Sequence, residues 1–342
     1  MTDDATLDSR WHVSPTAAAL HRDALVCDMV WPLEPWCGND WHRLSQLHAA
    51  GVDMVSLTLA GDNHNVSEAV QRVGAARRKL LDSDEHLILV ENTADIERAK
   101  TTKKLAVGFH FEGTRCFERN PDLVETFYRL GVRHTLLAFN QGNSVGGGCG
   151  EKADGGLTRF GGQLLTEMNR VGMIIDLSHT GRRTTMDAME VATRPVLFSH
   201  SNAEGLVPHF RNIDDEQVRA CAATNGMVGV SSSSDYLGEQ VSSPQAMFRH
   251  IDYFANLVGP EHVGLGLDIV FDHDALNAWI RTRPDEWPGT EASDWPGFRY
   301  ARPSDYPVLT ELMLDAGYAE DDIRGILGGN FLRVCAANWI RT

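Results

Sequence analysis

The sequence predicts a (β/α)8 barrel of the TIM type, formed as one domain over residues 1–342. Short runs of apolar and β-branched residues alternate with longer amphipathic segments, as strands and helices do in an α/β fold. Eight such runs are present, which is the strand count of this barrel. The strongest polar motifs directly follow the runs, where the loops of such a barrel build its active site. A doubly wound open sheet is the competing architecture, but no Gly-x-Gly-x-x-Gly motif opens the first unit.

Each predicted strand is a short apolar run. In chain order the runs are Ala24–Val30, Val52–Leu59, Leu105–Phe111, Arg133–Ala138, Met173–Leu177, Pro195–Ser199, Met227–Ser231 and His262–Leu267. The amphipathic segments between them predict helices over Trp41–Ala50, Val66–Leu81, Ala94–Ala99, Pro121–Leu130, Phe160–Arg170, Arg182–Val191, Asp214–Thr224 and Pro244–Leu257. Asp214 is the expected N-cap of its helix. A Trp- and Pro-rich stretch and two extra C-terminal helices follow the last strand, over Asp272–Pro307, Val308–Ala316 and Glu320–Ile326.

The composition narrows the class of protein. A formal net charge of −16 argues against a surface for nucleic acid or anionic membrane, because both require clustered Lys and Arg. The six cysteines form no Cys-x-x-Cys pair, so neither a thiolate zinc site nor a disulfide framework is indicated. The first ten residues are polar, and no run of about 18 apolar residues occurs. We therefore expect a soluble, cytoplasmic protein that acts on a small molecule.

Two Ser-His pairs follow neighbouring predicted strands and indicate a metal site. His179 ends the run Ile-Asp-Leu-Ser-His, and His200 follows Val-Leu-Phe-Ser. Parallel strands place both histidines at the same edge of the sheet, and imidazole is a common zinc ligand. A single histidine in this position is more often a structural residue, but two in matching contexts favour a metal.

A carboxylate could complete this site. Glu112 ends the third run, in Gly-Phe-His-Phe-Glu-Gly, and His110 shares its face of the strand. The alternative is that either residue pairs with a cation at the barrel rim. Asp268 ends the eighth run, where a carboxylate can take a proton from a metal-bound water. Arg211 lies in the loop after His200, and its guanidinium can bind a substrate carboxylate through two nitrogens.

The loop from Asn140 to Gly156 is rich in glycine and follows the fourth strand. It lacks the Gly-Lys-Ser/Thr of a Walker phosphate loop. Two interpretations remain open: a mobile flap that closes over a small substrate, and a permissive surface loop.

Several motifs resemble those of the membrane (renal) dipeptidase family. They run over most of the chain from Leu105 onward and comprise Gly156-Leu157-Thr158, Phe160-Gly161, Glu167–Met173, Ile175–His179, Ser199–Ala203, Arg211-Asn212, Asp215-Glu216 and Gly328–Val334. The resemblance implies an amidohydrolase-like barrel that cleaves dipeptides at a two-zinc centre, often as a dimer. It also implies that Glu112 bridges the metals, that His179 and His200 bind the second zinc, that Asp268 is the acid/base and that Arg211 anchors the substrate carboxylate.

The chain departs from the family pattern at the first strand. Members usually carry Asp-Gly-His-x-Asp there, whereas this chain has Asp-Met-Val-Trp-Pro, so Val30 and Pro32 replace the His and Asp that hold the first zinc. Divergent bacterial members that it resembles lack the same pair. Glu112, His179 and His200 remain, which is enough for one zinc with an open position. His110 and Glu34 are possible substitute ligands.

A second departure concerns the substrate side of the site. Phe139 stands where dipeptidases commonly present a histidine, and we expect Phe139 and Asn140 to contact the substrate. The leading hypothesis is a zinc-dependent hydrolase of a dipeptide-like amide with one ion rather than two. One alternative is a non-catalytic small-molecule binding protein on a decayed barrel. Another is a mononuclear hydrolase of a lactone, an ester or a betaine-like C–N bond, with Trp31, Trp36 and Phe139 as aromatic faces.

Overall fold

The computed structural model describes residues 10–34, 37–83 and 85–340. Its strands are β1 (Cys27–Pro32), β2 (Met54–Gly61), β3 (Leu87–Leu89), β4 (Leu105–Glu112), β5 (Val132–Leu136), β6 (Ile174–Asp176), β7 (Leu197–Phe198), β8 (Met227–Val230) and β9 (Val263–Leu265). Its helices are α1 (Pro15–Asp23), α2 (Leu44–Ala49), α3 (Val66–Leu81), α4 (Thr93–Thr102), α5 (Leu123–Arg129), α6 (Arg159–Val171), α7 (Arg182–Val191), α8 (Asp215–Ala223), α9 (Pro244–Val258), α10 (His273–Arg281), α11 (Asp305–Asp315), α12 (Glu320–Arg324) and α13 (Asn330–Asn338).

The strands form a nearly closed parallel barrel in the order β1-β2-β4-β5-β6-β7-β8-β9. Every neighbouring pair along this path is parallel. One further strand, β3, pairs with the first three residues of β4, Leu105 to Val107, and lies off the barrel path. Helices α2 to α9 lie between successive strands, as expected when each parallel crossover needs a connecting segment, whereas α1 precedes β1 and α10 to α13 follow β9. The predicted TIM barrel is therefore confirmed.

One side chain bridges the barrel where β1 and β9 approach each other. The Asp28 carboxylate in β1 accepts a hydrogen bond from the Leu267 amide, just beyond β9, with 3.2 Å between Oδ2 and N. Its other oxygen accepts from the Val30 amide at 3.0 Å. The Tyr306 hydroxyl of α11 also donates to Oδ2. This carboxylate joins the first and last strands of the barrel.

Local sequence explains the helix starts. Asn65 caps α3 in a capping box with Glu68, and Asp214 caps α8 in the same way with Gln217. The predicted N-cap at Asp214 is thus confirmed. None of the helices in the described part of the chain is both long and apolar enough to cross a membrane.

Candidate active site

The predicted site residues lie at the carboxyl ends of the barrel strands. Glu112 is the last residue of β4, His179 and His200 follow β6 and β7, and Asp268 follows β9. His179 and Asp268 have left-handed backbone conformations with φ of 60° and 56°, and Asn140 after β5 has φ of 56°. This conformation costs an L-residue about 1–2 kcal/mol. Such strain clusters at functional sites, which supports this rim as the active site.

The two histidines face each other through their Nε2 atoms, which lie 2.9 Å apart. On the far side of its ring, His179 Nδ1 lies 2.6 Å from Asn140 Oδ1. Since that amide oxygen only accepts, Nδ1 carries the hydrogen and Nε2 of His179 presents a lone pair. His200 Nδ1 lies 2.7 Å from Ser199 Oγ. Burial, and then the nearby charge of Arg211, hold the pKa of both histidines well below the usual range.

Two neutral imidazole nitrogens at this separation must share either a hydrogen atom or a cation. Histidine nitrogens of this kind are common zinc ligands, so the pair fits as two ligands of one ion. Within residues 10–34, 37–83 and 85–340, no group of three or more His, Cys, Asp or Glu side chains is arranged to hold a metal ion. The structure therefore brings His179 and His200 together, and Glu112 as third ligand stays a prediction.

Glu112 faces a cavity of about 750 Å3 that Pro32, Glu34 and Phe139 also line. Its Oε1 accepts a hydrogen bond from the Thr58 hydroxyl at 3.2 Å. Burial raises the pKa of Glu112 to about 7, while the Thr58 hydrogen bond and the charge of Arg211 lower it. The carboxyl group is thus poised between its two protonation states near neutral pH.

The two possible substitute ligands already have hydrogen-bond partners. Both ring nitrogens of His110 lie within 3.0 Å of hydroxyl oxygens, those of Ser56 and Thr58. Glu34 Oε1 accepts from Arg72 Nη2 at 2.6 Å. Burial raises the pKa of Glu34 to about 7, against the lowering effect of Arg72. Both ring nitrogens of His110 are therefore engaged, whereas the contact of Glu34 with Arg72 involves Oε1 alone; each residue remains a predicted ligand.

Asp268 is electrostatically linked to Glu112. Burial, and then the charge of Glu112, raise the pKa of Asp268 well above the usual value, and Arg211 lowers it. A carboxyl group whose pKa is raised holds its proton more firmly and can serve as a general acid. The position and environment of Asp268 fit a general acid.

Arg211 is buried beside the histidine pair. Its Nη2 donates to the His200 carbonyl at 2.6 Å, and its Nη1 donates to Ser201 Oγ at 3.2 Å. Among the described residues its buried Nε has no hydrogen-bond partner, and the guanidinium lies 5.5 Å from the Tyr236 ring centre. These contacts are to neutral groups. Arg211 and His179 line a second cavity of about 300 Å3, whose lining also includes the acidic residues Glu151, Asp154, Glu204 and Asp214.

Aromatic rings cover His179 on the side of the larger cavity. Phe139 stacks on the imidazole with 4.1 Å between ring centres and 19° between planes. Trp287 meets both rings edge-on, at 5.7 Å from Phe139 and 6.1 Å from His179. Trp287 lies in the Trp- and Pro-rich stretch and was not predicted as a site residue. Its only sequence signal is the local abundance of aromatic residues.

Of the other two aromatic residues of the betaine-like hypothesis, Trp31 packs in the hydrophobic core and not in the cluster around Phe139 and Trp287. Trp31 is 1% exposed within the hydrophobic core, and Trp36 lies outside the described residues. Val30 is also buried in the core, whereas Pro32 lines the larger cavity. The first-strand substitutions thus place apolar groups where the family pattern has metal ligands.

The glycine-rich loop is fastened to the barrel. Asn143 Nδ2 donates to Asp62 Oδ2 at 2.8 Å and to the Leu137 carbonyl at 2.9 Å. The Cys149 amide donates to the His179 carbonyl at 2.9 Å. A Cβ at Gly148 would lie 2.2 Å from the Asn140 carbonyl carbon, so this close approach requires glycine. These contacts argue against a mobile flap, and the close approach at Gly148 argues against a permissive surface loop; the loop is instead held against the barrel.

Two known proteins have sequences similar to most of this chain. A 280-residue alignment with the uncharacterized protein in the pqqA 5' region of Klebsiella pneumoniae is 32% identical and covers 79% of this chain and 95% of that protein. The dipeptidase aclJ of Aspergillus oryzae is 29% identical over 276 residues. That match covers 79% of this chain but only 60% of the fungal protein.

Solved structures are similar over nearly the whole chain. An amidohydrolase from Pseudomonas aeruginosa matches with a TM-score of 0.86 at 29% identity, covering 94% of this chain and 99% of that one. A metallopeptidase from Rhodobacter sphaeroides, liganded with a phosphinate mimic of L-Ala-D-Ala, matches with a TM-score of 0.75 at 18% identity, covering 93% and 100%. The second likeness supports the fold alone.

The family model of the membrane dipeptidases matches residues 29–272, which contain all five residues of the expected metal, acid/base and carboxylate sites. The resemblance stated from the motifs is confirmed, and so is a dipeptidase-like hydrolase as the class of enzyme, at the level of the family. On this evidence the chain belongs to the membrane dipeptidase family, peptidase family M19.

Proposed function

We propose that this protein is a metal-dependent hydrolase that cleaves the amide bond of a dipeptide or a related small molecule with a free carboxylate. One observation carries the proposal: the lone pair of His179 Nε2 faces His200 Nε2 across 2.9 Å, beside a buried arginine whose contacts are to neutral groups. The two imidazoles are a pair of ligands for a cation, and they lie next to an arginine that can bind an anion. This arrangement suits a substrate that has both a carbonyl group to be activated and a carboxylate to be bound. Family membership supports the same reaction class.

The metal site would consist of His179, His200 and Glu112 with one zinc ion. Bound zinc would supply Lewis acidity that polarises the scissile carbonyl and acidifies a water. Val30 and Pro32 offer no side-chain donor at the family's other metal position, which is why we propose one ion. The family resemblance is also the ground on which we propose a homodimer.

Arg211 would bind the substrate carboxylate. Its Nη atoms donate to the His200 carbonyl and to Ser201, and its Nε has no hydrogen-bond partner in the part of the chain that the structure describes. The planar guanidinium therefore keeps a fixed orientation before substrate arrives, so little side-chain entropy is lost on binding. Because Arg211 contacts the backbone of His200 directly, it fixes the carboxylate at a set distance from the histidine pair.

Asp268 would hold and transfer the proton. Burial and then the charge of Glu112 raise its pKa well above the usual value, which favours the acid form. The leaving nitrogen of an amide must gain a proton as the bond breaks, and a positioned carboxylic acid can provide it. Phe139 and Asn140 would shape the substrate site: the first by covering His179, the second by fixing its tautomer.

The proposal is tested by measuring zinc content and zinc affinity of the purified protein, and then turnover of a panel of dipeptides and acylated amino acids. We expect about one zinc per chain, and turnover that a chelator abolishes and added zinc restores. Two zinc ions per chain would contradict the single-ion site. A protein that binds no metal and turns over no substrate would overturn the proposal. Binding of substrate analogues without turnover would favour the non-catalytic alternative.

A further inference from the structure

A chain of hydrogen bonds runs through the barrel interior from Glu112 to Asp176. Thr58 donates to Glu112 at 3.2 Å, and its oxygen lies 2.9 Å from His110 Nε2. Ser56 Oγ lies 3.0 Å from His110 Nδ1 and 3.1 Å from His134 Nε2. His134 Nδ1 then reaches Asp176 Oδ2 at 3.0 Å. Five contacts thus connect two carboxylates across strands β2, β4, β5 and β6.

The strand register produces this chain. Thr58 in β2 stands opposite His110 in β4, and His110 stands opposite His134 in β5. The two imidazoles stack with 4.4 Å between ring centres and 8° between their planes. All four intermediate side chains, Ser56, Thr58, His110 and His134, are at most 5% exposed. Water has little access to replace any link, so losing one leaves a buried polar group unsatisfied.

Asp176 also holds the two segments that carry the metal-site histidines. Its Oδ1 accepts from the Ser178 amide at 3.1 Å and from the Ser199 amide at 3.0 Å. Each of these serines directly precedes one histidine, His179 or His200. Ser178 Oγ additionally accepts from the His200 amide at 3.0 Å. One oxygen of Asp176 therefore serves the histidine segments, and the other serves the chain to Glu112.

We propose that Asp176, His134, Ser56, His110 and Thr58 form one positioning network that fixes Glu112 relative to His179 and His200. These five residues are positioning residues, because none is required to touch substrate or metal. The inference rests on the proposed function in so far as Glu112 and the histidines bind zinc. The existence of the network as one connected unit does not depend on any metal.

The hydrogen bond from Thr58 to Glu112 determines the effect that we expect on zinc affinity. Thr58 is the link that contacts Glu112, so without its hydroxyl the carboxylate is free to change rotamer. Groups that orient metal ligands typically contribute 10- to 100-fold to metal affinity or activity. A network that only stabilised the fold would change unfolding but leave zinc affinity untouched. Zinc affinity and unfolding together distinguish the two roles.

The test compares Thr58→Val, which removes only the hydrogen-bonding hydroxyl, with Thr58→Ser, which keeps it. Thr310→Val is the matched control, because Thr310 is a buried threonine that bonds a buried histidine, His21, at 2.8 Å in a contact between α11 and α1. Zinc affinity is measured by competition with a chromogenic chelator. Nitrogen-15 NMR of the metal-free protein reads the His134 ring nitrogens. Circular dichroism confirms that each variant is folded.

We expect Thr58→Val to weaken zinc affinity about 10- to 100-fold, and Thr58→Ser and Thr310→Val to remain close to the wild type. We also expect Thr58→Val to shift the His134 ring-nitrogen resonances, although Ser56 and His110 lie between the two residues. Unchanged zinc affinity in folded Thr58→Val, or unmoved His134 resonances, would overturn the network. If Thr58→Val fails to fold, Ser56→Ala replaces it with the same expectations.

The two proposals fail in different ways. A wild-type protein that binds no zinc overturns the proposed function, and the metal-free NMR comparison then decides alone whether the five residues act as one unit. A wild-type protein that binds zinc, with no loss of affinity in Thr58→Val, retains the proposed function and overturns the positioning role.

Discussion

His179 Nε2 and His200 Nε2 face each other across 2.9 Å, and Asn140 fixes the tautomer that turns the lone pair of His179 toward His200. The two rings come from loops after adjacent strands, β6 and β7, so the barrel framework sets their separation. Burial keeps the pKa of both below the usual range. A site that holds unprotonated imidazoles together is prepared for a cation before the cation arrives.

The first prediction concerns this pair. His200→Ala should lower zinc affinity by at least 100-fold, because one remaining imidazole cannot form the site. His21→Ala is the matched control, since His21 is a buried histidine at a contact with Thr310 and the Ala50 carbonyl. We expect that variant to lose stability but to keep wild-type zinc affinity. Equal zinc affinities in the wild type and His200→Ala would rule out the histidine pair as ligands.

The second prediction concerns Arg211. A lysine at this position cannot reproduce both Nη contacts together with a free Nε donor. Losing a hydrogen bond to a charged group costs about 1.5–3 kcal/mol, so Arg211→Lys should raise KM for a dipeptide roughly 10- to 100-fold. Steady-state kinetics measure this. Arg219→Lys, at an exposed arginine paired with Asp215, should leave KM unchanged. A KM for Arg211→Lys equal to that of the wild type would argue against carboxylate binding at Arg211.

The third prediction separates chemistry from metal binding. Asp268→Asn keeps the shape of the side chain but removes the transferable proton, so kcat should fall about 10²- to 10⁴-fold. Zinc content should remain at the wild-type value. Asp274→Asn changes an exposed acid a few residues further on and should leave kcat unaltered. The acid/base assignment would be wrong if Asp268→Asn retained wild-type kcat.

The fourth prediction concerns pH and the Asp28 carboxylate. Burial raises the pKa of Asp28 from 3.8 to about 7, and hydrogen bonds from Tyr306, Val30 and Leu267 lower it. Because the folded pKa lies above the unfolded value, the native state binds more protons between about pH 4 and 7. The contribution of Asp28 to stability therefore decreases as pH rises through that window. Above this window Asp28 is ionised, and the stability of the folded protein then depends on the hydrogen bonds that Tyr306, Val30 and Leu267 donate to the carboxylate.

Tyr306→Phe removes one donor to that ionised form. The free energy of unfolding should fall by about 1.5–3 kcal/mol at pH 8 and by less at pH 5, where Asp28 is protonated. Urea unfolding at the two pH values measures the difference. Tyr318→Phe is the control, because Tyr318 donates to the partly exposed Asp252 at 2.8 Å, and its effect should be the same at both pH values. A loss for Tyr306→Phe that is equal at both pH values would contradict the role given to Asp28.

Much of the fold follows from sequence pattern alone. Helices over Val66–Leu81 and Arg182–Val191 have the predicted bounds, and all eight predicted strands occur with ends shifted by a few residues. Helix α1 (Pro15–Asp23) was missed, although Ser14 and Pro15 are standard signals of a helix start. Strand β3 has only three residues, too few for a period to be read.

The end of the chain shows why composition misleads. Helix α13 (Asn330–Asn338) was missed because Gly328 and Gly329 suggest that a helix has ended. The chain instead passes through a π-helical turn over Gly325–Gly329. A Cβ at Gly328 would lie 2.5 Å from the Leu25 carbonyl, so glycine serves close packing there rather than a break. Helix α10 (His273–Arg281) was likewise missed, within the Trp- and Pro-rich stretch.

For the candidate site, too, some residues could be singled out from the sequence and others could not. His179, His200 and Asp268 were predicted because each follows an apolar run. Thr58 and His134 were not singled out, because their role depends on which residues stand opposite each other in β2, β4 and β5. The register across three strands cannot be read from the sequence of any single strand. Trp287 reaches His179 only through the tertiary packing of a long irregular segment.

The contact between Asp28 and Leu267 makes the junction of β1 and β9 different from the other strand junctions of the barrel. Elsewhere neighbouring strands of the barrel are joined by backbone hydrogen bonds, whereas here side chains connect the two edges: Asp28 accepts from the Leu267 amide, and Asn39 Nδ2 donates to the Pro32 and Ile269 carbonyls. Opening at this edge therefore breaks side-chain hydrogen bonds rather than a ladder of backbone hydrogen bonds. The Leu267 amide should therefore exchange its hydrogen for deuterium through a local opening motion, faster than the amides in the ladder between β2 and β4. Its exchange rate measures how often the barrel opens between β1 and β9.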